Sequence, residues 1–241
     1  MIELSIVIPA YNEGDKISRD IRLAAALIAA HTRSGELIIV DDGSDDGTAA
    51  IARRACDAVA CPCTVLQLQP NRGKGRALRE GILRARGDTI LFADAGSNIP
   101  WNEALKGLGL LSAGCDLAHG SRYLPGSKIR ARQPFRRRLV STLFRPMMRS
   151  LMRVPPQLTD TQCGFKLYRR ETAKALYTAC KTEGFMFDIE IILRAQQAGY
   201  RICEFPVTWH CDYDSRISLW RDALPTLRDL WNIKNILKAN T

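Results

Sequence analysis

Leu37-Ile38-Ile39-Val40-Asp41-Asp42-Gly43-Ser44-Asp45-Asp46-Gly47-Thr48 is the stretch that decides the fold. Its apolar half predicts a short buried strand, and the acidic, glycine-rich half places carboxylates at the C-terminal end of that strand. A second apolar run, residues 4–8, ends in the same way with Pro9-Ala10-Tyr11-Asn12-Glu13. Open α/β sheets bind ligands at this edge, so we expect the two strand ends to face one crevice.

Hydropathy patterns predict alternating strands and helices, as in a doubly wound sheet. Strands are expected near residues 3–8, 36–40, 64–68, 88–93, 115–119 and 200–207. Helices are expected near residues 14–31, 45–57, 73–85, 101–112, 171–180 and 185–198, with a polar turn at 159–164. An amphipathic stretch at 217–237 either packs on the core or anchors the protein to a surface. The fold class is therefore α/β, with a mixed, mostly parallel sheet flanked by helices.

Composition agrees with one globular domain over residues 1–241. The 241 residues are 46% hydrophobic and 25% charged, which suffices for a substantial core. No apolar run approaches the roughly 18 residues that a membrane-spanning helix needs, and the N-terminus lacks a basic leader, so we expect a cytoplasmic protein. The eight cysteines show no zinc-finger spacing and are expected to be reduced and mostly buried.

Positive charge is concentrated in one segment. The net charge is +10, and residues 117–159 contain ten Lys and Arg residues and no Asp or Glu. Apolar residues recur at helical spacing among these charges, which is typical of a segment that lies on a membrane surface. Packing of this apolar face on the core is the alternative. We expect peripheral membrane attachment through residues 128–153, and no nucleic acid partner, because the pattern of the Leu/Phe/Met face does not indicate a base-stacking surface.

The strand ends predict a nucleoside pocket. Asp41 and Asp42 can accept the imide N–H of uracil or guanine, Tyr11 can stack on the base, and Glu13 can accept from a ribose hydroxyl. No Gly-x-Gly-x-x-Gly motif follows the first strand, which argues against a dinucleotide site. The stretch Asn71-Arg72-Gly73-Lys74-Gly75 opens a helix and offers glycines and basic groups to a phosphate, although it lacks the P-loop spacing.

The fourth predicted strand ends in Asp94, and Asn98 follows closely. Oxygen ligands of this kind can hold a divalent cation, which a diphosphate leaving group requires. A turn or helix-capping role for Asp94 is the alternative.

Together these motifs resemble the family 2 glycosyltransferases, which have the GT-A (Rossmann-like) fold and use nucleotide-sugar donors. Three further motifs are similar to polyprenyl-phosphate sugar transferases, closest to the dolichyl-phosphate β-glucosyltransferases and dolichol-phosphate mannosyltransferases. They are Gly120-Ser121-Arg122-Tyr123, Asp160-Thr161-Gln162-Cys163-Gly164-Phe165-Lys166 and Phe187-Asp188-Ile189-Glu190. The resemblance covers residues 3 to about 210. It implies a nucleotide-sugar-binding half over residues 1–120 and an acceptor-binding half over 121–241.

The resemblance also implies roles for single residues. Asp94 is implied to lie beside the donor diphosphate and its Mg²⁺ or Mn²⁺, and Arg122 where the donor and acceptor phosphates approach each other. The usual Asp-x-Asp is Asp94-Ala95-Gly96 here. The second carboxylate is therefore missing, which predicts a weaker or differently arranged metal dependence. The residues implied to contact the nucleoside are Pro9, Tyr11, Glu13 and Asp41.

The predicted reaction is a single inverting displacement on a hexose, from UDP-glucose in preference to GDP-mannose, to a dolichyl- or undecaprenyl-type phosphate. A phosphate acceptor needs no strong base, whereas a hydroxyl acceptor needs one, with Asp160 the first candidate and Gln162 orienting it. Lys74 would stabilise the departing diphosphate, and the stretch Phe187-Asp188-Ile189-Glu190 would close the sugar pocket or cap and anchor a helix. A non-catalytic nucleotide-sugar-binding module is the other alternative. The residues predicted to hold the acceptor phosphate are Arg122, Arg136, Arg137 and Arg138.

Overall fold

The structure is a computed structural model that describes residues 2–130, 149–210 and 219–239. Within these ranges the strands are β1 (Leu4–Ala10), β2 (Gly35–Asp41), β3 (Cys63–Gln67), β4 (Thr89–Ala93), β5 (Leu117–Ser121), β6 (Lys128–Ile129), β7 (Phe165–Arg169), β8 (Ile202–Pro206) and β9 (Thr208–Trp209). The helices are α1 (Gly14–His31), α2 (Thr48–Asp57), α3 (Lys74–Arg84), α4 (Ala104–Ser112), α5 (Arg170–Ala179), α6 (Phe187–Gln197) and α7 (Leu219–Ala239), and a 3₁₀ turn, Trp101–Glu103, precedes α4.

The described strands form a seven-stranded sheet in the order β3-β2-β1-β4-β7-β5-β8, and β6 pairs separately with β9. Strands β1 to β4 are parallel, β7 is antiparallel to β4 and β5, and β5 is parallel to β8. The predicted mixed, mostly parallel α/β sheet is therefore confirmed. The chain leaves β1 toward β2 on one side and returns to β4 on the other, and such a switch point opens a crevice at the carboxyl ends of the strands.

Both faces of the sheet are covered by helices, which explains why β1 is apolar at every position except Ser5 and has every residue buried. Because side chains alternate along a strand, Ile6 and Ile8 pack in the layer of α1 and α2. Val7 packs on the other face, in the layer of α3, α5 and α6. The core thus holds the ends of β1, β2 and β4 in fixed register beneath the crevice.

Strand β7 is the one strand of the described seven-stranded sheet that the sequence did not predict. It runs Phe-Lys-Leu-Tyr-Arg between β4 and β5, and its Lys166 side chain is fully buried. A lysine in a central strand contradicts the expected apolar pattern. Asp188 of α6 supplies a buried partner for that ammonium group, which offsets the cost of burying it in the strand.

The expectation that the cysteines are reduced is wrong for four of them. Cys56 is disulfide-bonded to Cys63, and Cys115 to Cys203. Cys56 lies at the end of α2 next to the start of β3, and Cys115 precedes β5, the neighbour of the strand that carries Cys203. The fold, rather than the sequence spacing, brings each pair together.

The amphipathic stretch at 217–237 is helical, as α7. Its residues Leu230, Ile233 and Leu237 pack in a cluster with Met152, Val154, Leu158 and residues of α6, whereas Trp231 is exposed. This face therefore packs on the core. In the part of the chain that the structure describes, no helix is both long and apolar enough to span a bilayer. Residues 131–148, with Arg136, Arg137 and Arg138, lie outside the described ranges.

Candidate functional site

A cavity of about 710 Å³ lies at the carboxyl ends of β1 and β4. Its walls come from the turns that follow β1, β2, β4 and β5, together with the polar turn before β7 and the start of α6. The predicted site residues that line it are Pro9, Tyr11, Glu13, Asp42, Lys74, Asp94, Asn98, Arg122 and Gln162. Asp41 and Asp160 do not line it, and both are buried.

Hydrogen bonds join the turns after β1 and β2. Ser44 Oγ accepts from the backbone N–H of Asn12 at 2.8 Å, and Thr48 Oγ1 accepts from the N–H of Glu13 at 2.9 Å. The Asn12 side chain accepts from the N–H of Asp45 at 3.0 Å in return. These bonds fix Tyr11, which is 40% exposed, at the rim of the cavity. The turns after β1 and β2 are thus joined beside one crevice.

The two neighbouring aspartates play different parts. Asp42 lies on the cavity wall and accepts a 2.6 Å hydrogen bond from the N–H of Gly73. Burial raises the pKa of Asp42, although that N–H acts in the opposite direction. Asp41 lies behind the wall, where Ser44 donates to its Oδ1 through both backbone and hydroxyl. In the described ranges its Oδ2 is buried without a hydrogen-bond partner.

The turn before α3 presents Lys74 to the cavity. Gly73 has φ +115°, and a Cβ added there would lie 2.7 Å from the carbonyl oxygen of Glu183, so glycine is required. Lys74 Nζ lies 2.7 Å from Asp94 Oδ1 and 5.1 Å from the ring centre of Phe92. Burial by itself would lower the pKa of Lys74, but the neighbouring carboxylates outweigh it and the pKa is raised.

Asp94 follows β4 and is held by the turn before β7. Its N–H donates to the carbonyl oxygen of Gly164 at 2.9 Å. A Cβ at Gly164 would lie 1.9 Å from Asp94 Oδ2, so a residue with a side chain cannot occupy this position without displacing the carboxylate. The Asp94 side chain is 37% exposed, which leaves part of it open to a ligand.

Sequence reasoning missed Asp20, which shapes the turn after Asp94. Asp20 comes from α1 and is 1% exposed. Its carboxylate accepts from the N–H of Gly96 at 2.6 Å and from the hydroxyl of Ser97. The signal was present in the sequence, because Asp20 lies one turn from Ile17 on the apolar face of the helix, where a charge needs a partner.

The described residues could supply some of the ligands of a metal ion, but they do not form a complete metal site by themselves. Residues 2–130, 149–210 and 219–239 hold no group of three or more His, Cys, Asp or Glu suited to a metal ion. Asp94 offers one carboxylate, and Asn98 lines the same cavity. Mg²⁺ is commonly held by one or two carboxylates together with substrate phosphates and water. This donor set therefore suits a cation that arrives with a diphosphate.

Arg122 and Asp160 form a bidentate ion pair. Arg122 Nε lies 2.7 Å from Oδ2 and Nη2 lies 2.9 Å from Oδ1. Burial raises the pKa of Asp160, but Arg122 outweighs burial and the net pKa is lowered. The Arg122 side chain is 18% exposed and lines the cavity, whereas the Asp160 side chain is 2% exposed. Asp160 thus presents Arg122 to the cavity from behind.

Glu204 of β8 supports this pair, and sequence reasoning missed it. Its two carboxylate oxygens accept from the backbone N–H groups of Thr159 and Asp160, at 2.7 and 2.8 Å. Gln162 in the same turn lines the cavity, and within the described ranges its side-chain nitrogen is buried without a partner. The turn at 159–164 is therefore fixed by contacts that no local pattern reveals.

The stretch Phe187-Asp188-Ile189-Glu190 begins α6, and its two carboxylates make different contacts. Asp188 lines the cavity and pairs with the buried Lys166. Burial raises the pKa of Asp188, although Lys166 acts in the opposite direction. Glu190 does not line the cavity, and its carboxylate accepts hydrogen bonds from the backbone N–H groups of Lys181 and Thr182. Glu190 is thus an anchor for the loop before α6.

Comparison with known proteins gives a consistent picture. The family model for "Glycosyl transferase family 2" matches residues 5–177. The chain is 32% identical to glycosyltransferase AglD of Haloferax volcanii, over 96% of this chain and 38% of AglD. It is 31% identical to a dolichyl-phosphate β-glucosyltransferase of Saccharomyces cerevisiae, over 95% of this chain and 73% of that enzyme.

The fold is also found in solved structures. A glucosyl-3-phosphoglycerate synthase of Mycobacterium tuberculosis, crystallised with Mn²⁺, UDP-glucose and phosphoglyceric acid, superposes with a TM-score of 0.69. The alignment covers 96% of this chain and 79% of that protein, at 19% sequence identity. At this identity the likeness concerns the fold.

Proposed function

Because the chain belongs to glycosyl transferase family 2, we propose that it transfers a hexose from a nucleotide sugar to a polyprenyl phosphate. UDP-glucose is the proposed donor, since the yeast relative that covers nearly the whole chain is a dolichyl-phosphate β-glucosyltransferase. The proposed acceptor is a dolichyl- or undecaprenyl-type phosphate. The chain is a glycosyltransferase by family, and the choice of donor and acceptor is the proposal.

One observation carries the choice of acceptor, namely that Asp160 is buried behind Arg122. A hydroxyl acceptor would need a general base, for which Asp160 was the first candidate. Its carboxylate is 2% exposed, bonded by two guanidinium N–H groups, and absent from the cavity wall. A phosphate monoester carries about −1.5 to −2 charge and attacks without such a base. The arrangement therefore favours a phosphate acceptor.

Arg122 is suited to receive that phosphate. Guanidinium has five N–H donors in a planar fork, and Asp160 uses only part of them. The rings of Tyr123 and Trp209 lie 5.7 and 5.6 Å from the guanidinium carbon and limit its movement. An anion that enters from the cavity would meet a cation already fixed in position. Arg136, Arg137 and Arg138 are proposed to add positive charge to this end of the site.

The donor is proposed to bind at the other strand ends. Tyr11 would stack on the base, Glu13 would accept from the ribose, and Asp42 would accept from the imide N–H of uracil, with Pro9 and Asp41 supporting this wall. Lys74 would face the diphosphate. Asp94 and Asn98 would hold Mg²⁺ or Mn²⁺, which when bound neutralises charge on the leaving diphosphate. The contribution of the chain is to bring two anions together and to compensate their charge.

Peripheral attachment to a membrane through residues 128–153 is part of the proposal, because a polyprenyl phosphate keeps its tail in the bilayer. Ile129 and Leu151 lie in described parts of this segment and are 52% and 45% exposed. Exposed apolar side chains beside arginines suit a bilayer surface, where each basic residue contributes about 1 kcal/mol.

The test is a transfer assay on the full chain with radiolabelled UDP-glucose, a short polyprenyl phosphate in detergent and Mn²⁺. We expect a lipid-soluble glucosylated product. The matched control is the polyprenol of the same chain length, which lacks the phosphate and is expected to give none. GDP-mannose in parallel decides the donor. Absence of lipid product from every UDP and GDP sugar, or equal transfer to the free alcohol, would refute the proposal.

A further inference from the structure

Lys74 stands at a position where a cation is disfavoured. It is the first residue of α3, and the first turn of a helix has unpaired backbone N–H groups and the positive end of the helix dipole. Such an end is a site for anions. In this protein the Asp42 carboxylate accepts from the N–H of Gly73 at this helix end, whereas Asp94 Oδ1 lies 2.7 Å from the Nζ of Lys74. The Asp94 carboxylate is therefore the anion that the Lys74 ammonium contacts.

The backbones that carry this pair are tightly held. On one side, Gly73 is bonded to Asp42 and lies against the carbonyl of Glu183. On the other side, Asp94 is bonded to Gly164, where no Cβ fits. Lys74 and Asp94 are therefore not free to separate by movement of the main chain. A change of partner must take place at the side chains.

Neighbouring charged groups already have partners of their own. Asp188 acts on Lys74 electrostatically, but its carboxylate bonds the buried Lys166. Arg122 is engaged by Asp160. A divalent cation that approaches Asp94 would therefore meet the Lys74 ammonium at the same carboxylate. Lys166 and Arg122 are held by other carboxylates and do not replace Lys74 as the partner of Asp94.

We propose that Lys74 competes with the divalent cation for Asp94, and that a diphosphate ends this competition by taking Lys74 for itself. Cation and donor then bind with positive coupling, each raising the affinity of the other, as linkage requires. This inference rests on the proposed function, since the diphosphate is that of the nucleotide-sugar donor. It assigns to Lys74 the control of metal binding as well as contact with the leaving group.

The test measures Mn²⁺ alone, by electron paramagnetic resonance of the free ion, on the full chain without nucleotide. We expect Lys74→Met to bind Mn²⁺ about tenfold more tightly than the wild type, a factor within the usual range of coupling between sites. The double variant Lys74→Met/Asp94→Asn is expected to lose this gain. UDP binding without metal, measured by calorimetry, is expected to weaken in Lys74→Met.

Lys106→Met is the matched control. Lys106 pairs with Glu103 at 2.5 Å, and neither residue lines the cavity. This variant also removes one lysine charge and releases a carboxylate, so its Mn²⁺ affinity is expected to stay at the wild-type value. Lys74→Gln repeats the measurement should the methionine variant not fold, as judged by thermal unfolding.

Equal Mn²⁺ affinity in the wild type and in a folded Lys74 variant would overturn the inference. A gain that persists in the double variant with Asp94→Asn, or that appears equally in Lys106→Met, would overturn it as well. None of these measurements uses a sugar donor or a lipid acceptor. Failure of the transfer assay would therefore refute the proposed function and leave the competition between Lys74 and Mn²⁺ to be judged on its own result.

Discussion

Asp160→Asn tests whether Asp160 positions Arg122 or acts as a base. The wild-type carboxylate accepts two N–H groups from the guanidinium and one from the Arg122 backbone, all within 3.1 Å. Breaking a buried ion pair costs about 3–5 kcal/mol. Asparagine keeps one acceptor oxygen, and Arg122 keeps contact with the cavity. We therefore expect the free energy of unfolding to fall by roughly 2 kcal/mol, less than for complete loss of the pair.

The kinetic effect separates the two roles. Loosening of Arg122 should raise the KM for the acceptor phosphate about tenfold, equivalent to roughly 1.4 kcal/mol of binding, with a smaller change in kcat. The pH dependence of the rate should keep its shape, because the acceptor phosphate itself titrates with a pKa of about 6. Loss of a general base would instead lower kcat about 10²- to 10⁴-fold. A fall of that size in kcat with an unchanged acceptor KM would refute the positioning role.

The same variant has a defined dependence of stability on pH. The pKa of Asp160 is lowered in the folded protein, because Arg122 outweighs the effect of burial. Its stabilising effect is therefore complete above the unfolded pKa of about 3.9 and is lost as the pH falls through the lower, folded pKa. Urea unfolding should show a constant difference between wild type and variant at neutral pH, and a closing gap below about pH 4. Asp116→Asn is the control, since Asp116 accepts from a backbone N–H outside the cavity.

Three further predictions concern the site, the core and the surface. Gly164→Ala should reduce transfer at least about 100-fold while the protein stays folded, because the added Cβ would lie 1.9 Å from the Asp94 carboxylate. Gly109→Ala is the control and should keep full activity, because a Cβ added at Gly109 has no neighbouring atom within 4 Å. Lys166→Met should lower the free energy of unfolding by about 3–5 kcal/mol in urea titrations, since it leaves a buried carboxylate without its partner. The protein should sediment with anionic liposomes at low salt and less at high salt, through residues 128–153, and equal recovery in the supernatant at both salt concentrations would contradict the membrane proposal.

The sequence was informative where local chemistry decides structure. The apolar runs before Pro9 and Asp41 predicted β1 and β2, and the polar residues that follow these runs predicted the approximate ends of the strands. Parallel strands connected by right-handed crossovers have few possible arrangements, so the common edge followed from general rules. Most residues predicted at those ends do line one cavity.

The sequence was uninformative where partners are distant along the chain. Lys166 makes sense in a central strand only with Asp188, 22 residues away, and Arg122 meets Asp160 across 38 residues. Glu204 reaches the same turn from a strand at the far edge of the sheet. Such contacts depend on the order of β7, β5 and β8, which no periodicity encodes. The disulfide between Cys115 and Cys203, which are 88 residues apart, was missed for the same reason.

In the turn after β4, the glycine at position 96 and the buried carboxylate of Asp20 stabilise the same backbone conformation. Gly96 stands where the family's second aspartate is expected, and it has φ +100°, a conformation that residues with a side chain rarely adopt. Its N–H is bonded to the buried Asp20 carboxylate, which stabilises this shape of the turn. An aspartate at position 96 would therefore strain the turn that presents Asp94. The second carboxylate in this region belongs to α1 and shapes the turn, so under the proposed function a divalent cation would depend on Asp94, Asn98 and the oxygens that the donor brings.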